Sequence, residues 1–163
     1  METIVVGFSK AKKKTAIVSW LIRLFQNTPF SHTYIRFYSQ KYDRWLVYQA
    51  SKTAVNFMEY SHFLENNEIV EEITIITTDA QKTALVTYAI DTVGRPYSIK
   101  ALLGFAFEIV GLPYKWLLQN GDKSYVCSEL VLRALNEAYI EEAFEDPDLV
   151  TPKELYEFIK NKY

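Results

Sequence analysis

Residues 33–60 read TYIRFYSQKYDRWLVYQASKTAVNFMEY, and this stretch decides the fold. β-Branched and aromatic residues cluster in three runs: 33–38, 45–50 and 54–60. Lys41, Asp43 and Arg44 mark a turn between the first two. Runs of this kind, separated by polar turn residues, predict an antiparallel meander. Upstream, residues 2–8 form a short β-type run. Downstream, a polar break at 65–68 precedes a fourth strand at 70–77.

Helical patterns occupy much of the remaining chain. Residues 15–26 (TAIVSWLIRLFQ) carry apolar side chains at helical spacing, and Pro29 ends that pattern. Asp79 is the expected N-cap of a helix over 80–93, with Gly94 as its stop. Arg95-Pro96-Tyr97-Ser98 reads as a turn, with Ser98 capping the apolar helix after it. Gly121-Asp122-Lys123 reads as another turn. Ser124 then caps a helix running to about Ala138. After a loop at 148–152, Thr151 and Glu154 fit a capping box that opens a last helix over 153–160. The expectation is an α+β fold, an antiparallel sheet packed with helices, in one domain spanning 1–163.

Composition narrows the function classes. Apolar residues make up 49 % and charged residues 23 % of the 163, enough for a real core. A net charge of −2 argues against a nucleic-acid-binding domain. The basic cluster of Lys10, Lys12, Lys13 and Lys14 is read as a solvated loop or helix start, with a phosphate-binding patch as the alternative. A single cysteine excludes an internal disulfide and does not point to secretion. The N-terminal METIVVGFSKAKKK has no basic region before its apolar run, so no signal peptide is expected. These features suit a cytoplasmic protein of bacterial or phage origin. The apolar stretch 101–118 (ALLGFAFEIVGLPYKWLL) contains Glu108, Pro113 and Lys115, a poor membrane span. It is expected to be a core or interface-facing helix and turn, or a wall in peripheral contact with lipid or an acyl chain.

Chemistry centres on Cys127. Behind a cap at Ser124 it falls in the first turn of a helix, whose partial positive charge favours thiolate. The unpaired N–H groups there suit an oxyanion. A small buried apolar role is the alternative for a lone cysteine. A thiol nucleophile needs a base and an orienting group. Of the two histidines, His32 opens a strand, whereas His62 sits in a polar step and is expected at the surface. Gln49, on the next strand, would be brought beside His32 by a hairpin; otherwise it is an ordinary polar strand residue. One Cys and two distant His give no metal-ligand cluster, and 5 Gly give no phosphate loop, so no cofactor is expected.

Several local motifs then form a series: Ser31-His32 at a strand start, Tyr48-Gln49-Ala50 at the end of the next, and Gly94-Arg95-Pro96-Tyr97-Ser98 before an apolar helix. Tyr125-Val126-Cys127-Ser128-Glu129-Leu130 and Thr151-Pro152 complete it. In this order they resemble the permuted papain-like families, most closely the YiiX-type amidase or peptidase group. More distantly they resemble lecithin retinol acyltransferase-like and NlpC-type proteins. The resemblance implies a circularly permuted papain-like (NlpC-type) fold, with Cys127 as nucleophile, His32 as base and Gln49 as orienting residue. It implies that Tyr125 and Ser128 lie at the oxyanion or substrate-binding position; packing is the alternative for Tyr125. Many members carry an acidic residue where Gln49 falls. The implied activity is a cysteine hydrolase acting on a peptide, cell-wall peptide or acyl-lipid amide or ester. The alternatives are an acyltransferase using the same residues and an inactive structural or interaction module of the same fold.

Overall fold

The computed structural model describes residues 1–12, 23, 27–51, 53–98, 125–141 and 150–163. The expected helix at 15–26 (Arg23 aside), the apolar segment 101–118, Lys13, Lys14, the 121–123 turn and Ser124 lie outside the described residues, as do 148 and 149 of the 148–152 loop.

Strand β1 (Glu2–Ala11) is buried on both faces from Ile4 to Ser9, so it runs through the middle of the fold. It pairs antiparallel with β2 (His32–Ser39) and continues three residues beyond the 2–8 run. The turn at 40–43, in which Asp43 takes a positive φ of 52°, leads into β3 (Arg44–Ala50). β4 (Val55–Glu59) closes the meander.

Beyond β4 the reading of the sequence needs correction. Tyr60 does not extend the strand but begins α1 (Tyr60–Asn66), and the polar 65–68 stretch holds the last turn of this helix and the start of β5 (Asn67–Thr77). This short helix is anchored by one buried residue, Phe63, too few apolar positions to give a helical period. β5 returns to the far edge beside β1, giving the order β4-β3-β2-β1-β5 for an all-antiparallel, five-stranded sheet.

α2 (Asp79–Thr92) starts one residue before expectation. Thr78, not Asp79, is its N-cap and shares a reciprocal capping box with Gln81. Gly94 stops it at φ 85°, a conformation open to glycine at little cost. The 95–98 stretch is partly paired rather than a free turn: Pro96 bridges Ala54, and Tyr97 bridges Tyr125. α3 (Cys127–Glu137) and α4 (Pro152–Lys162) follow, the latter opened by the expected Thr151–Glu154 capping box.

The inner face of the sheet carries Ile4, Val6, Phe8, Ile35, Phe37, Tyr48 and Ile75. These pack against Leu85 of α2, Leu130 and Leu135 of α3, and Leu155 and Ile159 of α4. Each such side chain contributes about 1.5–3 kcal/mol on burial. The outer face holds a smaller cluster of Tyr34, Val47 and Phe63 under α1. Among the described residues no helix is long and apolar enough to cross a membrane.

On the outer face one cross-strand row locks three strands. Tyr34, Gly7 and Glu72 are register partners on β2, β1 and β5. The Tyr34 ring lies flat over Gly7 and its hydroxyl donates to Glu72 Oε1 at 2.7 Å. A Cβ on Gly7 would stand 2.1 Å from Tyr34 Cζ. Arg36 completes the row with two bonds to Glu72, at 3.1 and 2.7 Å, sandwiched between the Trp45 and Tyr60 rings. Gly7→Ala therefore expels the Tyr34 ring and should lower the unfolding free energy by at least about 1–3 kcal/mol, the usual cost of overpacking. Urea unfolding reads this as a lower midpoint; an unchanged midpoint contradicts the row.

Candidate active site

The β2–β3 ladder runs from Ser39↔Arg44 to Ile35↔Tyr48 and stops there. Beyond that point the strands diverge, and the start of α3 packs into the opening. The helix begins at Cys127 itself, with Val126 rather than Ser124 as N-cap. Val126 has no polar side chain, so the cap is made from the other direction. The buried Glu129 carboxylate takes the Val126 N–H at 3.4 Å and is held by Arg133 Nε at 2.9 Å. The first intrahelical bond is Leu130 N–H to Val126 O, 3.0 Å, so the Cys127 and Ser128 N–H groups have no partner within the helix.

His32, the first residue of β2, faces this helix end, and its ring packs 6.2 Å from Phe63. Its Nε2–H donates to Gln49 Oε1 at 2.8 Å. The Cys127 thiol lies beside the same imidazole, close enough for each group to shift the other's pKa. With Nε2 committed to Gln49, Nδ1 is the nitrogen left for sulfur. Cys127, His32 and Gln49 are thus brought together although 95 positions separate Cys127 from His32 in the sequence.

The electrostatics of the pair are mutual. Burial pushes the His32 pKa down, but the hydrogen bond to Cys127, its charge and the bond to Gln49 outweigh this, and the net shift is upward. Burial pushes the Cys127 thiol up, but His32 and the backbone N–H and hydroxyl of Thr33 outweigh this, and the net shift is downward. The Thr33 hydroxyl is buried close to this pair without a hydrogen-bond partner. Both shifts favour a thiolate–imidazolium pair. The pair forms as pH rises through the lowered Cys127 value and is lost as pH rises through the raised His32 value.

Tyr97 also reaches this centre. Burial and the Cys127 charge raise its phenol pKa, so it stays neutral. Sequence reasoning passed over both Thr33 and Tyr97; the Tyr97↔Tyr125 bridge has no local sequence signal.

Two expected residues are engaged elsewhere. The Tyr125 hydroxyl meets Arg95 Nη1 at 2.6 Å and Tyr88 at 3.4 Å, and its ring is in the core. The Ser128 hydroxyl donates to Val150 O at 2.6 Å and is fully buried. Their side chains tie down the start of α3 rather than face the sulfur. His62 is exposed and pairs with Glu65 at 3.0 Å. Lys10 pairs with Glu68, and Lys12 bonds Leu64 O, so these two cations of the basic cluster are occupied. Among the described residues no group of three His, Cys, Asp or Glu side chains converges as a metal site.

No known protein-family model matches the chain, and no curated protein matches it. The geometry must therefore carry the functional argument.

Gln49 is the member of this site whose charge is easiest to change. A carboxylate at the same place would favour imidazolium by about 1–3 pKa units. In Gln49→Glu the His32 pKa should move up by that order, seen by NMR titration of the imidazole; no movement would mean that Gln49 does not touch His32 in solution.

Proposed function

We propose that the chain is a cysteine hydrolase of permuted papain-like type, cleaving an amide or ester through an acyl-enzyme on Cys127. The observation that carries this reading is the His32 imidazole held by Gln49 at 2.8 Å with a pKa-depressed thiol at a helix start on its other side. A nucleophile, a base and a neutral orienting group in this relation match the logic of Cys-His-Asn hydrolases.

In the proposed reaction the Cys127 thiolate attacks the substrate carbonyl carbon. The N–H groups of Cys127 and Ser128 and the Tyr97 hydroxyl supply donors for the oxyanion. The carbon–nitrogen or carbon–oxygen bond breaks, and the imidazolium gives its proton to the leaving amine or alkoxide. Neutral His32 then takes a proton from water, and the hydroxide attacks the thioester. Collapse releases the acid and restores the thiolate beside imidazolium. An acceptor other than water would make the same residues an acyltransferase. Substrate classes are peptides, cell-wall peptides and acyl-lipid amides or esters.

One observation favours a second reading, a non-catalytic module of the same fold: Cys127 is 4 % exposed. The rate of Cys127 alkylation by iodoacetamide against pH, in wild type and His32→Ala, separates the two. Hydrolase chemistry predicts an apparent thiol pKa below the ordinary value of about 8.5, rising on loss of His32. Burial alone lowers the rate at every pH without moving the midpoint down. A midpoint at or above the ordinary value, indifferent to His32, refutes the catalytic reading.

A further inference from the structure

We propose that Asn56 is a positioning residue that fixes the tautomer of His32 through Gln49, so that the neutral imidazole carries its proton on Nε2 and offers Nδ1 to Cys127. This rests on the Cys127–His32 reading above and adds a residue that touches neither. Gln49 and Asn56 are register partners on β3 and β4, so their side chains share the outer face with His32.

The Ala54 backbone carbonyl can only accept, and it fixes the direction of every bond in the chain from Asn56 to His32. Ser51 Oγ donates to Ala54 O at 2.9 Å in preference to Thr53 Oγ1 at 3.3 Å, so toward Asn56 it accepts, as the Ala54 carbonyl must. Two acceptors, Ser51 Oγ at 2.8 Å and Ala54 O at 3.1 Å, converge on one terminal atom of Asn56. That atom must be the amide nitrogen. The other terminal atom, Oδ1, accepts from Gln49 across 3.4 Å, so Gln49 turns its NH2 that way. Its Oε1 is then the atom facing His32 at 2.8 Å, and only a protonated Nε2 satisfies it.

The chain matters because Gln49 is an amide. A carboxylate would accept from the imidazole with either oxygen. An amide has two unlike ends, and a flipped Gln49 would present NH2 to Nε2. That selects the imidazole with its proton on Nδ1, facing the thiol and unable to take the thiol proton. A neutral orienting residue therefore needs a second group to set its direction, and Asn56, locked to the β3–β4 turn, supplies it.

The test follows the ring nitrogens of His32 by nitrogen-15 NMR in the full chain carrying Cys127→Ala, at a pH where the imidazole is neutral. His62, exposed on α1, is the internal reference. The parent should show a single form protonated on Nε2. Adding Asn56→Leu, which offers Gln49 no acceptor, should draw the two nitrogen shifts toward each other as the Nδ1–H form gains population. Asn56→Asp keeps an acceptor toward Gln49 but sets its second oxygen against the Ala54 carbonyl. It should lower the melting temperature while leaving the parent shifts in place, an outcome that a merely structural role would not give. Parent-like shifts in Asn56→Leu, or Asn56→Asp moving as far as Asn56→Leu, overturn the inference. Either result leaves the alkylation midpoint of Cys127, and the hydrolase reading with it, to stand or fall separately.

Discussion

The Tyr34 ring laid over Gly7 and tied to Glu72 is the constraint on which the site depends. Side chains alternate along a strand, so a slip of one residue would carry His32 from the outer face to the inner one. The row makes such a slip costly in β2, β1 and β5 together. Any other residue at position 7 would collide with the ring, and any other partner for Tyr34 would leave its buried hydroxyl and the Arg36–Glu72 pair unsatisfied. With β2 held in this register, His32 stands two residues along the same face, beside Phe63.

From there the site is a matter of how the strands part. β3 and β4 stay paired through Gln49↔Asn56 and Ala50↔Val55, while β2 and β3 separate after Ile35↔Tyr48. The separation lets the α3 N-terminus come up to the sheet beside Thr33. One strand end thus supplies the imidazole, the next its amide partner, and the third the residue that directs the amide. The helix supplies the thiol with its own dipole behind it. None of these groups is a carboxylate. The positive shift of His32 and the negative shift of Cys127 come chiefly from each other, so the pair titrates as a unit.

Much of the frame was legible in the sequence because alternation and turn residues are local signals. The three runs in 33–60 correspond to β2, β3 and β4, and a hairpin between 33–38 and 45–50 is enough to bring Gln49 near His32. Helix α1 was not legible, since seven residues anchored by Phe63 alone lack a period. The position of β5 was not legible either, because its partner β1 lies more than fifty residues earlier. Ser124 looked like a cap because serine commonly is one; the helix instead starts at Cys127 through the Glu129 carboxylate, an interaction that reaches backward and reads in the sequence only as the acid of CSEL. Tyr125 and Ser128 lie close to Cys127 in the chain, yet their side chains are spent on Arg95 and Val150. Proximity in sequence to a nucleophile says little about which way a side chain turns at a helix start. Asn56 was within reach of sequence reasoning, since the short 51–54 turn sets it opposite Gln49, but its meaning depends on the Ala54 carbonyl.

The central claim is that Cys127 acts as a nucleophile toward carbonyl carbon. Its most direct test is intact-mass measurement of the full chain after brief exposure to an activated acyl ester at neutral pH. The account predicts one acyl group per chain, on Cys127, removed by hydroxylamine, absent from Cys127→Ala and formed much more slowly in His32→Ala. A chain that remains unacylated, or that acylates equally fast without His32, contradicts it.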